Sequence, residues 1–383
     1  MIGTMIGAAS AAIWVYLLAL RGGFWRIRRD EEAGSAAASA PPRRVTAVLP
    51  ARDEAEVIGR AVSSLLGQRY PGVLDVVVVD DHSTDGTGEI ARAAASAVGA
   101  AERLTVVRAP PVAPGWTGKL WAVRHGIESA GALNPDYLLL TDADIVHAPN
   151  NLASLVARAE SGGYDLVSLM VKLHCRTASE QLLIPAFVFF FFKLYPPRQV
   201  ADPSRRIAAA AGGCMLVRSV TLDRIGGVDS IRQEIIDDCA LARRVKAVGT
   251  IWLGAAEDTI SIREYGSWRV IWDMVARCAF AQLGYSVPAL AGTVAGMVMI
   301  YLVPPALPLA GPVPARVLGA AAWAGMSVAF VPVLRLYRVP VVLAPLLPLA
   351  ALFYTAATIG SAIQYWRGRG GRWKGRFQAA PIR

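Results

Sequence analysis

Short apolar runs and helix-like repeats alternate through the middle of the chain. RVTAVLPA (44–51) and LDVVVVDD (74–81) are apolar, partly β-branched runs, each followed by polar residues. Between them, in DEAEVIGRAVSSLLGQ (53–68), apolar positions 57, 58, 61, 62, 65 and 66 recur with helical spacing. GTGEIARAAASAV (86–98) predicts a second helix, LTVVRA (104–109) a third strand, residues 118–130 a further helix, and YLLLTDAD (137–144) a fourth strand. Continuously apolar strands separated by helices predict an α/β domain with a mostly parallel sheet covered on both faces. Ligands of such sheets bind beyond the carboxyl ends of the strands. The polar clusters ARDE, DDHSTDGT and DAD fall at those ends.

The two ends of the chain read differently. Residues 1–20, MIGTMIGAASAAIWVYLLAL, carry no charged side chain. At ~1.5 Å per residue they can cross a ~30 Å hydrocarbon layer. AAASA at 36–40 resembles a signal-cleavage site. A signal peptide, however, has its positive charge before the apolar run, and here Arg21, Arg26, Arg28 and Arg29 follow it. The expectation is an uncleaved anchor with its N-terminus outside and the rest starting in the cytoplasm. Near the C-terminus, 287–310, 315–334 and 339–363 are candidate spans, with Arg335 and Arg338 between the last two. Three full crossings would leave the basic tail WRGRGGRWKGR (366–376) outside, against the positive-inside tendency. We therefore expect a cytoplasmic tail and one re-entrant or interfacial segment. Pro304, Pro305 and Pro308 make the first segment the suspect.

Composition narrows the choice of partner. The 383 residues are 54% hydrophobic and carry a formal net charge of +10. The basic residues bunch beside apolar segments, which suits anionic lipid; a nucleic-acid surface needs a basic face with interleaved aromatics. Cys175, Cys214, Cys239 and Cys278 are far apart and form no C-x-x-C, so reduced thiols are expected rather than a metal cage or disulfide framework. His82, His125, His147 and His174 lack metal-ligand spacing and read as polar surface or loop residues. PAFVFFFFKLYPPR (185–198) reads either as core packing or as an amphipathic segment in the headgroup region.

Two acidic clusters suggest chemistry. Asp142 and Asp144, at i and i+2 beyond a strand, can offer oxygens to one Mg²⁺ or Mn²⁺, which would offset their repulsion and hold a diphosphate. Alone, the pair reads first as a strand-end turn with solvated aspartates. In VVVVDDHSTDGT (76–87), Asp80 and Asp81 close a buried strand, where a carboxylate can accept from a uracil imide N–H, while Asp85 or Thr87 can cap the next helix.

Taken in order, AVLPARDEAEVIGRAVSSLLGQRYP (47–71), VVVVDDHSTDGT, GKLWAVRHGI (118–127), LLLTDAD, GGCMLVR (212–218) and IDDCALARRV (236–245) resemble family 2 glycosyltransferases of the Rossmann-like GT-A fold. GWTGKLWAV, VHAPNNL, LVSLMVK, LLIPAFVFFFFKLYPP and AAAAGGCMLVR are similar to bacterial hopene-associated glycosyltransferases, a group tied to triterpenoid lipid biosynthesis. The resemblance implies that Pro50, Arg52, Asp53 and Glu54 sit against the base and ribose, Asp80 and Asp81 bind the base, and Lys119 lies by the diphosphate. It implies a metal on Asp142 and Asp144 and a general base at Asp238. Because the family's E-D pair reads D-D here, Asp237 remains a substitute. A first-turn pair facing the helix dipole is the competing reading of 237–238. Arg277 is a weaker diphosphate candidate, with membrane-surface snorkelling as its alternative. The Q-x-x-R-W motif of processive relatives is missing, which argues against a polysaccharide synthase.

The implied protein is a multi-pass enzyme of the bacterial inner membrane, with its catalytic domain in the cytoplasm. It would move a sugar from a nucleotide-sugar donor, with UDP favoured, to a membrane lipid hydroxyl. Transfer to a polyprenyl phosphate is the runner-up, and a non-catalytic scaffold or transporter is the other class. The expected division is an anchor (1–20), a basic segment and linker (21–43), the glycosyltransferase domain (44–265), an interfacial helix (266–286), membrane helices (287–363) and a basic tail (364–383).

Overall fold

The computed structural model describes residues 1–27 and 42–368, together with the backbone of 372–373 and 376–377. Arg28, Arg29, linker residues 31–41 and the remainder of the basic tail lie outside the described residues. The elements run α1 (Ile2–Ala19), β1 (Arg44–Ala51), α2 (Ile58–Leu66), β2 (Val73–Asp80), α3 (Thr87–Ala97), β3 (Leu104–Arg108), α4 (Gly118–Gly131) and β4 (Tyr137–Thr141). There follow β5 (Ile145–Val146), α5 (Asn151–Gly162), β6 (Leu166–Lys172), α6 (Ala178–Leu194), α7 (Pro197–Ala201), β7 (Cys214–Arg218), α8 (Ser219–Arg224), α9 (Asp237–Lys246) and β8 (Ile251–Ser261). The last helices are α10 (Trp268–Gln282), α11 (Val287–Met297), α12 (Val303–Ala310), α13 (Val313–Leu336) and α14 (Leu347–Trp366).

Strands β1 to β8 form one sheet in the order β3-β2-β1-β4-β7-β6-β8-β5. The expected parallel pairing holds for β3, β2, β1 and β4, and again for β6 with β8. Strand β7 runs antiparallel to both its neighbours, and β5 is antiparallel to β8, so the sheet is mixed. The reversal has a positional consequence. Thr141 at the end of β4 pairs with Cys214 at the start of β7, so the loop before β7 reaches the same edge as the loop after β4.

Both faces of the sheet are covered. Val45, Ala47, Leu49, Val76 and Val78 pack with residues of α2, α3 and α5. Val48, Val77 and Val79 belong to a second core that takes in α4, α9 and α6 and continues into α13 and α14. Helix α4 comes close to β1 because residue 126 is glycine: a Cβ there would lie 2.3 Å from Val48 Cγ1. That approach sets the N-terminus of α4, capped by Thr117, over the carboxyl edge of the sheet.

The phenylalanine run is core, not a headgroup-level amphipathic face. Phe189 and Phe192 are buried, and Phe189 meets Phe24 at 5.3 Å and Phe330 at 5.4 Å. Phe190 meets Tyr301 and Tyr354 at 5.2 and 5.3 Å. Helix α6 is apolar on all sides because it is wedged between the sheet domain and the C-terminal helices. Its start is fixed by a capping box of Thr177 and Glu180.

Among the described residues, four helical segments are long and apolar enough to cross a membrane: Ile2–Ala19, Val287–Ala310, Val313–Leu336 and Val341–Trp366. The suspected first C-terminal segment keeps spanning length despite its prolines. Pro304 and Pro305 fall in the first turn of α12, and a π-turn at Val298–Leu302 precedes them. A π-turn is one way for a helix to absorb a local break in its hydrogen-bond ladder.

Candidate active site

The loops after β1 and β2 are stitched together. Arg52 Nη1 donates to the Asp81 carbonyl (2.9 Å) and lies 3.4 Å from its carboxylate, which is fully buried. Asp53 adopts a left-handed φ of 49°. Its carboxylate accepts from Thr84 N, and its N–H donates to Ser83. Asp80 accepts from Ser83 N. Glu54 N–H donates to Thr87 Oγ1, and Asp85 accepts from both Ala55 N and Thr87 N. Asp85, rather than Thr87, therefore supports the start of α3. Pro50 lies in the wall of a small cavity shared with Lys119, Asp142, Gly212 and Asp237.

Lys119 is the hub of that cavity. From the first turn of α4 its ammonium reaches Asp142 at 3.0 Å and Asp237 at 3.2 Å. Burial disfavours its charge, but Asp142 and Asp237 more than offset this and hold its pKa above the ordinary lysine value. Burial pushes the Asp142 carboxyl up, opposed by Lys119 and reinforced by Asp144 and Asp237. The second aspartate of the turn has different partners. Asp144 accepts from the Ser261 hydroxyl and lies 3.5 Å from Arg263 Nε.

Asp237 and Asp238 open α9 but do not simply face solvent at a helix terminus. Asp237 is tied to Lys119, whereas Asp238 accepts from Gly212 N at 2.9 Å. Gly212 lies between the two halves of the site: a Cβ there would be 3.4 Å from Asp238 and 3.5 Å from Lys119. Burial, with Asp237 adding to it, raises Asp238 to about 6. A carboxyl with that pKa, not ion-paired to the lysine, is better suited to take up a proton near neutrality than Asp237.

The remaining candidates are placed less centrally. Arg277 is on the exposed face of α10 and forms no salt bridge with any described residue. Its neighbour Cys278 is raised by burial, with Arg277 opposing and Asp238 adding. His147 is a correction. It is buried, within hydrogen-bond distance of Thr141 (3.0 Å) and Asn151 (2.9 Å), and burial lowers its pKa to about 4. Neutral and bonded at both nitrogens, it pins the end of β4 beneath the Asp142–Asp144 turn. His82, His125 and His174 are half-buried, on loops or a helix surface.

Arg263 and Glu180 were missed in the sequence. Arg263 Nη2 is 2.7 Å from both carboxylate oxygens of Glu54. A lone arginine just past an apolar strand, in ISIREYG, was the available signal. Glu180 is fully buried and accepts from the backbone N–H of Arg176, Thr177 and Tyr265. Despite burial, these bonds, together with His174, hold its pKa down to about 2. It thus locks the turn between β8 and α10 to the start of α6.

Comparison with known proteins identifies the family and the fold. "Glycosyltransferase like family 2" matches residues 41–260. The succinoglycan biosynthesis protein ExoU of Rhizobium meliloti (strain 1021) is 34% identical over 131 residues, which is 34% of each chain. The 4,4'-diaponeurosporenoate glycosyltransferase of Staphylococcus aureus (strain bovine RF122 / ET3-1) is 33% identical over 104 residues, 27% of this chain and 24% of that protein. The chain thus spans about a third and a quarter of these two relatives' lengths. Among solved structures, mannosyltransferase PcManGT from Pyrobaculum calidifontis, in complex with GDP-Man and Mn2+, superposes with a TM-score of 0.52 at 21% identity. That likeness covers 93% of this chain and 98% of PcManGT, and it supports the GT-A fold. With the matching family covering more than half of its residues, the chain belongs to glycosyltransferase family 2.

Proposed function

We propose that the protein is an inverting, membrane-bound glycosyltransferase that moves a sugar from a nucleoside diphosphate sugar to a lipid hydroxyl. The observation that carries this is the cluster of Lys119, Asp142 and Asp237 with Asp238 across Gly212. Asp238 takes the proton of the acceptor hydroxyl as its oxygen attacks the anomeric carbon from the face opposite the diphosphate. The bond from the anomeric carbon to the diphosphate oxygen breaks, and the electrons leave with the nucleoside diphosphate. Lys119 lies where that negative charge develops. Arg52, Asp81 and Glu54 form the floor for the nucleoside, and the sequence favours a UDP-sugar.

Asp142 and Asp144 fit one Mg²⁺ or Mn²⁺. Two carboxylates share a turn, and no third His, Cys, Asp or Glu joins them among the described residues, so diphosphate and water oxygens would complete the shell. Such an ion supplies charge neutralisation of the leaving diphosphate. PcManGT with Mn2+ and GDP-Man supports this reading.

The acceptor is a membrane lipid of hopanoid-like or polyprenyl type, met at the cytoplasmic membrane surface. Helix α10 exposes Arg269, Asp273 and Arg277 and so lies outside the hydrocarbon. Helix α14 runs beside it throughout: Phe353 meets Trp272 at 5.6 Å, Ser361 bonds the Ala276 carbonyl, and Tyr365 meets Phe280 at 5.5 Å. Despite its spanning length, α14 rests in the interface with α10. Crossing falls to α1, 287–310 and α13. Ser10 and Trp14 of α1 bond the carbonyls of Met299 and Ile300, and Gly7 packs against Leu307, Ala315 and Leu318. Three crossings, with the N-terminus outside, return the tail to the cytoplasm. Protease added outside sealed vesicles should spare the tail; cleavage from that side would overturn this topology.

Function is tested with purified protein, Mn²⁺ or Mg²⁺, lipid extract and a panel of UDP- and GDP-sugars. We expect nucleoside diphosphate release with at least one donor, abolished by chelation. No release from any donor would reject the enzyme.

A further inference from the structure

Arg263 touches two carboxylates that the proposed mechanism uses for different purposes. Its Nη2 lies 2.7 Å from both oxygens of Glu54, on the loop after β1. Its Nε lies 3.5 Å from Asp144 Oδ2, on the turn after β4. Both acids are almost completely buried, whereas the arginine side chain is 39% exposed. The end of β8 is fastened to that turn: Ile262 N–H donates to the Asp144 carbonyl at 3.0 Å, and Ser261 holds the same carboxylate oxygen. One guanidinium thus bridges the nucleoside side and the diphosphate side of the cleft.

We infer that Arg263 is an internal counter-cation for Asp144, a latch that competes with the divalent cation and is drawn away when the donor arrives. The inference rests on the metal-dependent reading above. A divalent cation on Asp144 and a guanidinium 3.5 Å from one of its oxygens repel each other, so each weakens the other's hold on the carboxylate. When a nucleoside diphosphate enters, its oxygens give the arginine a new acceptor matched to its planar fork. Release of Asp144 and capture of the diphosphate then occur together, so cation and donor bind cooperatively. Lys119 stands in the same relation to Asp142, but it also holds Asp237 and is not free to make the exchange alone.

The test is Mn²⁺ binding, read by electron paramagnetic resonance of the free ion, on the full chain in detergent, with and without UDP or GDP. Arg263→Gln should bind Mn²⁺ at least fivefold more tightly than wild type without nucleotide. Arg263→Lys, which keeps the charge, should stay close to wild type. With nucleoside diphosphate the gain in Arg263→Gln should shrink or reverse, since the diphosphate has lost a partner. An Arg263→Gln affinity for Mn²⁺ alone that is unchanged or weaker overturns the latch, provided wild type binds Mn²⁺ with UDP or GDP. If wild type binds no Mn²⁺ even with those nucleotides, the metal-dependent reading falls and the latch with it.

Discussion

Strands β3, β2, β1 and β4 run parallel and deliver the loops carrying Arg52, Glu54, Asp81 and Asp142 to one edge of the sheet. On the other side of β4 the antiparallel β7 delivers Gly212, which holds Asp238. The first region is closed by its own loops, through Arg52–Asp81, Glu54–Thr87 and Asp53–Thr84. The second borrows its rigidity. Helix α6 packs Phe189 against Phe24 and Phe330, and Tyr354 of α14 donates to the Leu183 carbonyl. In the proposed mechanism the donor side is therefore built mainly by the α/β sheet and its loops, with Arg263 reaching in from beyond β8, and the acceptor side is completed only by helices that also meet the membrane. That division suits the proposed transfer from a water-soluble donor to a lipid.

The sharpest way to break the comparison is at Asp238. Asp238→Asn should lower kcat by about 10²–10⁴-fold, the range for loss of a general base, while nucleoside diphosphate affinity stays near wild type. The raised Asp238 pKa sets the accompanying pH dependence. The base works when deprotonated, so the wild-type rate should fall about tenfold per pH unit below about 6 and level off above it. The variant should lack that acid limb. If its activity is little changed, the acceptor oxygen arrives already ionised, as in a polyprenyl phosphate.

The junction between the regions offers a smaller effect. Phe189→Ala should destabilise the chain by ~3–5 kcal/mol, as for other buried phenylalanines, read as a lower thermal midpoint in detergent. Lipid glycosylation should fall with it, while nucleoside diphosphate binding below the midpoint should stay within about twofold, an expectation drawn from how little distant sites couple. Equal loss of both would mean that the two regions are not separable.

How legible each region was follows from the same contrast. VVVVDD and LLLTDAD could be read locally because a buried parallel strand is apolar throughout and its polar residues gather at the functional end. The reversal of β7 could not, because CMLVR is equally apolar in either direction. His147 looked like a loop residue because its shielding comes from Thr141 and Asn151 folding over it. The phenylalanine run left two readings open because sequence does not say what packs on a helix that is apolar all round. Arg263 escaped notice because its partner Glu54 is 209 positions away.

By itself, the sequence determined the alternation of strands and helices, the edge on which the acids gather, the apolar character of the first segment and the family resemblance. These are properties of local pattern, in which each residue's neighbours in the chain set its environment. Only the tertiary structure decided which acid meets which base, that Asp237 is tied to Lys119 while Asp238 stands apart, and that α14 lies against α10. Those outcomes depend on contacts between distant segments, where a few ångströms of approach determine whether a carboxylate is paired, buried or available for proton transfer.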